Sequence, residues 1–356
     1  MSSPDVIDTL RANAARIISD GIPYGDILFL EKDIPEAKAW CDRWVALSQT
    51  YEDLATEALK NNARQTAGEL LWRGALCCHF GQGIRMDVAE NAKRRADERK
   101  SALFRRGAVL LDPPMERVEI PFENHMLPGY LRLPSRRDGV APCVVIFGGL
   151  DTTKEDALEI SNHFVKRGMA VLTFDGPGQG EMFYQLPVRV DFEKAVSAAI
   201  DYACARPEID SNRIGVLGRS TGGHWACTTA AADPRVKVAV AWGLIYHLRH
   251  FKTLSSTLKK RFMRAARVVD ETQAAKFFAS YDLDTSAGLI QCPVLVVQGS
   301  EDPIATPDST QLLGNRVRGP IKVVTYRGSG HCAHDKTHLS KPLMADFAAH
   351  YLLPAS

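Results

Sequence analysis

Gly218-Arg219-Ser220-Thr221-Gly222 lies between the apolar run RIGVLG and an alanine-rich stretch. A serine in a G-x-S-x-G turn between a strand and a helix is exposed at a bend too sharp for side chains on either flank. At a helix amino terminus, backbone N–H groups and the helix dipole favour developing negative charge, as attack on a carbonyl requires. Such a serine also needs a base, and the base needs an orienting carboxylate. Both partners are expected later in the chain, each just past a strand. Asp302 follows Gly299, which closes PVLVVQG, and His331 follows KVVTYRGSG. Taken singly, the aspartate reads as a helix cap, with Thr306 and Asp308 as alternatives for that task, and the histidine as a solvated turn residue. Taken together, in order and at the carboxyl ends of parallel strands, the three point to nucleophilic catalysis.

Acyl transfer further requires N–H donors where the tetrahedral oxygen will lie. The Thr221 amide is one candidate, and Gly149 or Leu150, after the strand CVVIFGG, is the other. A third glycine-rich strand end, FDGPGQGE at 174–181, lacks both the dinucleotide spacing and the Lys-Ser/Thr of a phosphate loop. It reads as a tight turn beside the site, and for Asp175 and Glu181 contact with substrate and support of the loop are both open. His331, His334 and His338 are close in sequence, but no carboxylate or cysteine completes a known ligand spacing. No metal is expected.

The elements that must position these residues follow from periodicity. Residues 1–112 carry helical spacing in PEAKAWCDRWVALSQTYEDLATEALKN and in two later runs, with no convincing strand. They are expected to form an all-helical amino-terminal domain, acting as a cap and offering a homodimer surface. Asp112-Pro113-Pro114 ends the helical pattern, and a hairpin turning near Glu123 to His125 follows. From 113 to 356, short β-branched runs alternate with helices, the first starting near Lys154, which predicts an α/β fold with a mostly parallel sheet covered on both faces. A basic, helix-prone insertion at about 246–281 interrupts that cycle and is expected to cap the site. Its Arg249, Lys252, Lys259, Lys260, Arg261 and Arg264 suit either an anionic substrate or, more simply, a solvated helix face. Trp225, Trp242, Tyr246 and Phe251 read as core.

The 356 residues carry a formal charge of +2, which gives no field to attract nucleic acid or an anionic membrane. No apolar run reaches the ~20 residues of a membrane span. The amino terminus lacks a secretory pattern, and the eight cysteines show no CxxC pairing and fall mostly in apolar runs. A cytoplasmic location is expected.

GGLDTTKED, DGPGQGE, GRSTGG, VVQGSEDP and GSGH together resemble a branch of the α/β-hydrolase superfamily with a helical amino-terminal domain. That branch is typified by 2,6-dihydroxypseudooxynicotine hydrolase, and fungal pigment hydrolases that shorten polyketide chains are similar in layout. The resemblance implies Ser220 as nucleophile, Asp302 as orienting acid, His331 as base and no cofactor. It also implies cleavage of a carbon–carbon bond between an aromatic ring and a ketone carbonyl. Asp151 matches an acidic position of the family, whereas an acidic substrate contact sought after VAVAWG is replaced by Tyr246, His247 and His250. The leading expectation is hydrolysis of a small-molecule carbonyl substrate, an aryl ketone or β-dicarbonyl, through an acyl-enzyme. A carboxylesterase with the same residues is one alternative. A ligand-binding or regulatory protein that keeps only the fold is another.

Overall fold

The structure, a computed structural model, describes residues 3–135 and 139–354. It divides into two compact units between Arg117 and Val118. Among the described residues of the first unit, five α-helices follow one another: α1 (Pro4–Asp20), α2 (Tyr24–Asp33), α3 (Trp40–Lys60), α4 (Arg64–Gly83) and α5 (Glu90–Ala108). From Leu71 to Gln82 nearly every residue of α4 is buried, so this helix is apolar around most of its circumference and sits between its neighbours. Glycines let the backbones approach. A Cβ on Gly107 of α5 would lie 2.9 Å from the Gly68 carbonyl oxygen of α4, and one on Gly81 would lie 2.8 Å from the Trp44 Cβ of α3.

The sheet begins with β1 (Met115–Phe122) and β2 (His125–Arg132), which turn over through Glu123 and Asn124. It continues with β3 (Ala141–Phe147), β4 (Ala170–Phe174), β5 (Ile209–Arg219), β6 (Val236–Trp242), β7 (Val294–Gly299) and β8 (Ile321–Tyr326). Spatial order is β1-β2-β4-β3-β5-β6-β7-β8. β2 pairs antiparallel with β4, and from β4 to β8 the pairing is parallel, with Val145 opposite Val216 and Val216 opposite Ala239.

Both faces of the central strands are buried. Val145, Phe147 and Val216 face a core shared with α7 (Glu193–Cys204) and α8 (Thr221–Ala232). Val144, Ile146 and Leu217 face a second core with α6 (Leu158–Val165) and α12 (Thr337–Leu352). Double burial explains why these strands are continuous apolar runs rather than alternating ones. The helix expected from Lys154 instead begins at Leu158. Lys154, Glu155 and Asp156 are buried in side-chain ion pairs that hold this stretch as turns. The insertion contains α9 (Ser256–Ala266) and α10 (Glu271–Phe278), and α11 (Pro307–Gly314) follows β7. No helix among the described residues is long and apolar enough to cross a membrane.

Candidate active site

Ser220 stands between the last residue of β5 and the first of α8, at φ 61° and ψ −124°. A non-glycine residue there is strained, and such strain persists only where the surroundings over-determine it. The Ser220 amide donates to the Trp242 carbonyl of β6 at 2.7 Å, and the Ser220 carbonyl accepts from the Gly223 amide at 2.8 Å. A Cβ on Gly218 would run into the Gly222 carbonyl, and one on Gly222 would lie 2.8 Å from the Gly148 carbonyl oxygen. The flanking glycines are therefore a requirement of packing. Arg219 is buried and donates to Thr152 Oγ1 at 3.1 Å and Asp156 Oδ2 at 3.2 Å, with its guanidinium 5.5 Å from the Trp242 ring.

His331 lies after β8, and its Nε2 is 2.7 Å from Ser220 Oγ. Its Nδ1 is 2.7 Å from Asp302 Oδ2. The other Asp302 oxygen, Oδ1, accepts from the Ile304 and Ala305 amides at 2.9 and 2.8 Å. One carboxylate thus both caps its turn and orients the histidine, two roles that are alternatives at the level of sequence. Thr306, at the N-cap of α11, makes no side-chain cap bond. Burial alone would raise the Asp302 carboxyl, but His331 and the two backbone donors hold it below its ordinary value. Burial disfavours a charged His331, while the adjacent Cys332 sulfur and the Asp302 carboxylate favour it, and its net proton affinity is raised well above the usual imidazole value. The turn carrying His331 has left-handed backbone at Cys332 and Ala333. Trp242, whose carbonyl accepts from the Ser220 amide, ties it to the turn at Ser220, since its indole N–H donates to the Cys332 carbonyl at 2.5 Å.

Gly149 is packed against Ser220: a Cβ there would lie 3.0 Å from Ser220 Cβ and 3.1 Å from the Thr221 nitrogen. The loop is held from behind by Gln179, which is buried and donates through Nε2 to the carbonyls of Gly148 and Gly149 at 2.8 and 2.7 Å. Next to it, buried Lys154 Nζ contacts Asp175 Oδ2 and Glu155 Oε1 at 2.6 Å each and Glu181 Oε1 at 2.8 Å. Asp175 Oδ1 also accepts from the Lys154 amide at 2.9 Å. Asp175 and Glu181 therefore hold the loop. These three carboxylates are close enough to share a metal ion, but their common cation here is the Lys154 ammonium.

The substrate-side candidates are placed less centrally. Asp151 pairs with Arg261 of α9 at 3.0 Å, which ties the insertion to the loop after β3. Buried Tyr246 donates its hydroxyl to Asp284 at 2.9 Å. His247 and His250 line a pocket of about 730 Å³ with Thr306, Asp308 and Ser309, whose lining includes neither Ser220 nor His331. The basic residues of the insertion are mostly engaged: Arg249 with Asp282 and Asp284, Lys259 with Glu271 at 2.8 Å, and Arg264 over the Phe183 ring at 4.0 Å. Lys252 and Lys260 are exposed. Trp225, Trp242, Tyr246 and Phe251 are buried, and Trp225 stacks on Phe192 with ring centroids 3.8 Å apart.

Residues 159–353 match the prolyl oligopeptidase family. The chain is an α/β-hydrolase of that family. It is 33% identical over 337 residues to 2,6-dihydropseudooxynicotine hydrolase of Paenarthrobacter nicotinovorans, covering 94% of this chain and 90% of that one. A crystal structure of 2,6-dihydroxy-pseudo-oxynicotine hydrolase superposes with a TM-score of 0.88 at 32% identity, covering 96% of each chain. An α/β-hydrolase of Penicillium citrinum, gkaG, is 35% identical over 58% of this chain and 51% of its own length. The match thus spans about half the length of that relative.

The parts of the hydrolase site that sequence reasoning did not reach are Gln179, Lys154, Arg219 and Trp242. Gln179 lies in FDGPGQGE and Lys154 in GGLDTTKED, and a polar residue at a glycine-rich strand end is the one signal the sequence carries for them. Their partners are Gly148, Gly149 and Asp175, distant along the chain, so no spacing rule marks them.

Proposed function

We propose that the protein hydrolyses a small carbonyl compound by cutting the bond between a ketone carbonyl and an electron-rich ring or enolisable carbon, with Ser220 as nucleophile. The observation that carries this reading is the relay Ser220 Oγ–His331–Asp302, with both contacts at 2.7 Å. Ser220 Oγ attacks the carbonyl carbon while His331 Nε2 takes its proton, and the oxyanion is held by the Thr221 amide with Gly149 or Leu150. The carbon–carbon bond then breaks, its electron pair leaving on the ring or enol carbon, which receives the proton from His331. The acyl group stays on Ser220 Oγ. Water, deprotonated by the same histidine, releases the acid and restores the serine. The sum is ketone plus water giving a protonated carbon fragment and a carboxylic acid, with no redox partner. Asp302, held ionised, keeps Nδ1–H in place and stabilises the imidazolium.

Identity to a pseudooxynicotine hydrolase over nearly the whole chain supports a carbon–carbon bond over an ester. Comparison of dihydroxyphenyl ketones with aryl acetates, using native protein and Ser220→Ala, tests this. Turnover of the ketones that is lost in Ser220→Ala is expected. Efficient turnover of simple esters alone would make the protein a carboxylesterase, and ketone turnover retained by Ser220→Ala would remove the nucleophile. Eight free thiols fit the proposed reducing, cytoplasmic setting.

A further inference from the structure

We propose that Gln179 is a positioning residue that aims the Gly149 and Leu150 amides at the substrate oxyanion. The inference rests on the serine-hydrolase reading above and adds which groups build the oxyanion hole and what fixes them. Both amide hydrogens of Gln179 are committed, one to the Gly148 carbonyl and one to the Gly149 carbonyl. Its own oxygen accepts from the Gly176 amide at 2.9 Å, so the side chain cannot rotate without losing three bonds. In a trans peptide the C=O and N–H point in opposite directions. The unit that contributes the Gly148 carbonyl also carries the Gly149 N–H, and the unit of the Gly149 carbonyl carries the Leu150 N–H. Drawing both carbonyls to one donor turns both N–H groups away from Gln179, as in the backbone nests that bind anions.

The same stretch of backbone lies against the turn that carries Ser220. Gly149 approaches Ser220 and Thr221 so closely that no Cβ fits without displacement. Among the described residues, the Gly149, Leu150 and Thr221 amides make no hydrogen bond to other protein groups, so all three are free to donate to a ligand. Lys154 and Asp175 brace the same arrangement, since Asp175 accepts from the Lys154 amide on the loop after β3 and from the Glu181 amide on the loop after β4. Gln179 touches no substrate in this arrangement. Its effect is exerted through main-chain orientation.

The test is Gln179→Met, which keeps the unbranched length and removes both donors. A fall of about 10²-fold in kcat, the scale of losing one oxyanion donor, is expected, with KM within about twofold. Affinity for an arylboronic acid, whose serine adduct is tetrahedral and anionic, should fall in parallel, while affinity for the carboxylate product stays unchanged. A merely structural role would lower the melting temperature and leave that contrast absent. In native protein, forming the boronate adduct should move the Gly149 and Leu150 amide protons downfield together with that of Thr221. This measurement decides the matter if Gln179→Met does not fold. Wild-type kcat and boronate affinity in Gln179→Met, or a downfield shift confined to Thr221, would overturn the proposal. Equal activity of Ser220→Ala and native protein would instead overturn the reading on which it rests.

Discussion

The turn around Ser220 and the insertion at 246–281 hold their residues by different means. At the turn, backbone meets backbone: Gly218 against Gly222, Gly222 against Gly148, and Ser220 bonded through its amide to the Trp242 carbonyl. In the insertion, side-chain contacts add to a few main-chain bonds such as those from the Val188 amide to the Ala265 carbonyl and from the Leu248 amide to the Tyr281 carbonyl. Phe251 stacks on Phe278 at 5.2 Å, Phe262 meets Phe278 edge-on at 4.9 Å, and Arg261 and Arg264 reach across to Asp151 and Phe183. Main-chain contacts constrain geometry within tenths of an ångström and tolerate almost no substitution, which suits groups that must meet a transition state. Side-chain contacts can be exchanged singly, so the insertion can vary without disturbing the turn around Ser220. The two regions meet where Asp151, on the loop after β3, pairs with Arg261.

That contrast is broken most forcefully at the triad. Asp302→Asn keeps the shape but presents an amide to His331, favouring the wrong tautomer, and a fall of about 10⁴-fold in kcat is expected. Steady-state kinetics check it, and a loss under tenfold would mean that the catalytic geometry tolerates change as the insertion does.

A smaller but more diagnostic effect concerns pH. His331 must be neutral to accept the serine proton, and its proton affinity is raised well above 6.5. The acid limb of kcat/KM is therefore expected above pH 6.5, with activity rising as pH rises through the elevated value. The stability linkage has the opposite sign. The raised affinity stabilises the fold fully below the unfolded-state value and is lost as pH rises through the folded one. Asp302, whose carboxyl is depressed, contributes above its unfolded value and loses that contribution as pH falls through the folded value. A pH–rate profile beside denaturant titrations at several pH values would show the two limbs.

The smallest effect is expected in the insertion. Arg261 and Asp151 are each about a quarter exposed or less, so their pair contributes about 1 kcal/mol or less to stability. Arg261→Ala should change KM a few-fold and leave kcat within about twofold. A double-mutant cycle with Asp151→Asn measures the coupling, and a kcat loss as large as that of Asp302→Asn would place the insertion within the catalytic frame.

The legibility of the sequence follows the same divide. Ser220, Asp302 and His331 were readable because each follows an apolar strand, and strand ends in a parallel sheet converge at one edge. Short strands such as CVVIF were readable because double burial makes them uniformly apolar. The helix start at Lys154 was misplaced because charged residues in helical register were instead recruited into a buried cluster, which periodicity does not reveal. Gln179 and Trp242 act on partners about 30 and 90 residues away along the chain, through loop paths fixed by the fold alone. His247 and His250 follow β6, where the sequence suggests a substrate contact, but the turn at 243–251 carries them to a pocket whose lining lacks Ser220.

The most direct measurement is intact-mass detection of a fluorophosphonate adduct, with the labelled peptide sequenced, in native protein and in His331→Ala. A single adduct on Ser220, forming at least about 10³-fold more slowly in His331→Ala, is expected of a serine activated by its histidine. Equal labelling rates in the two proteins, or an adduct on another residue, would contradict the assignment of Ser220 as the nucleophile.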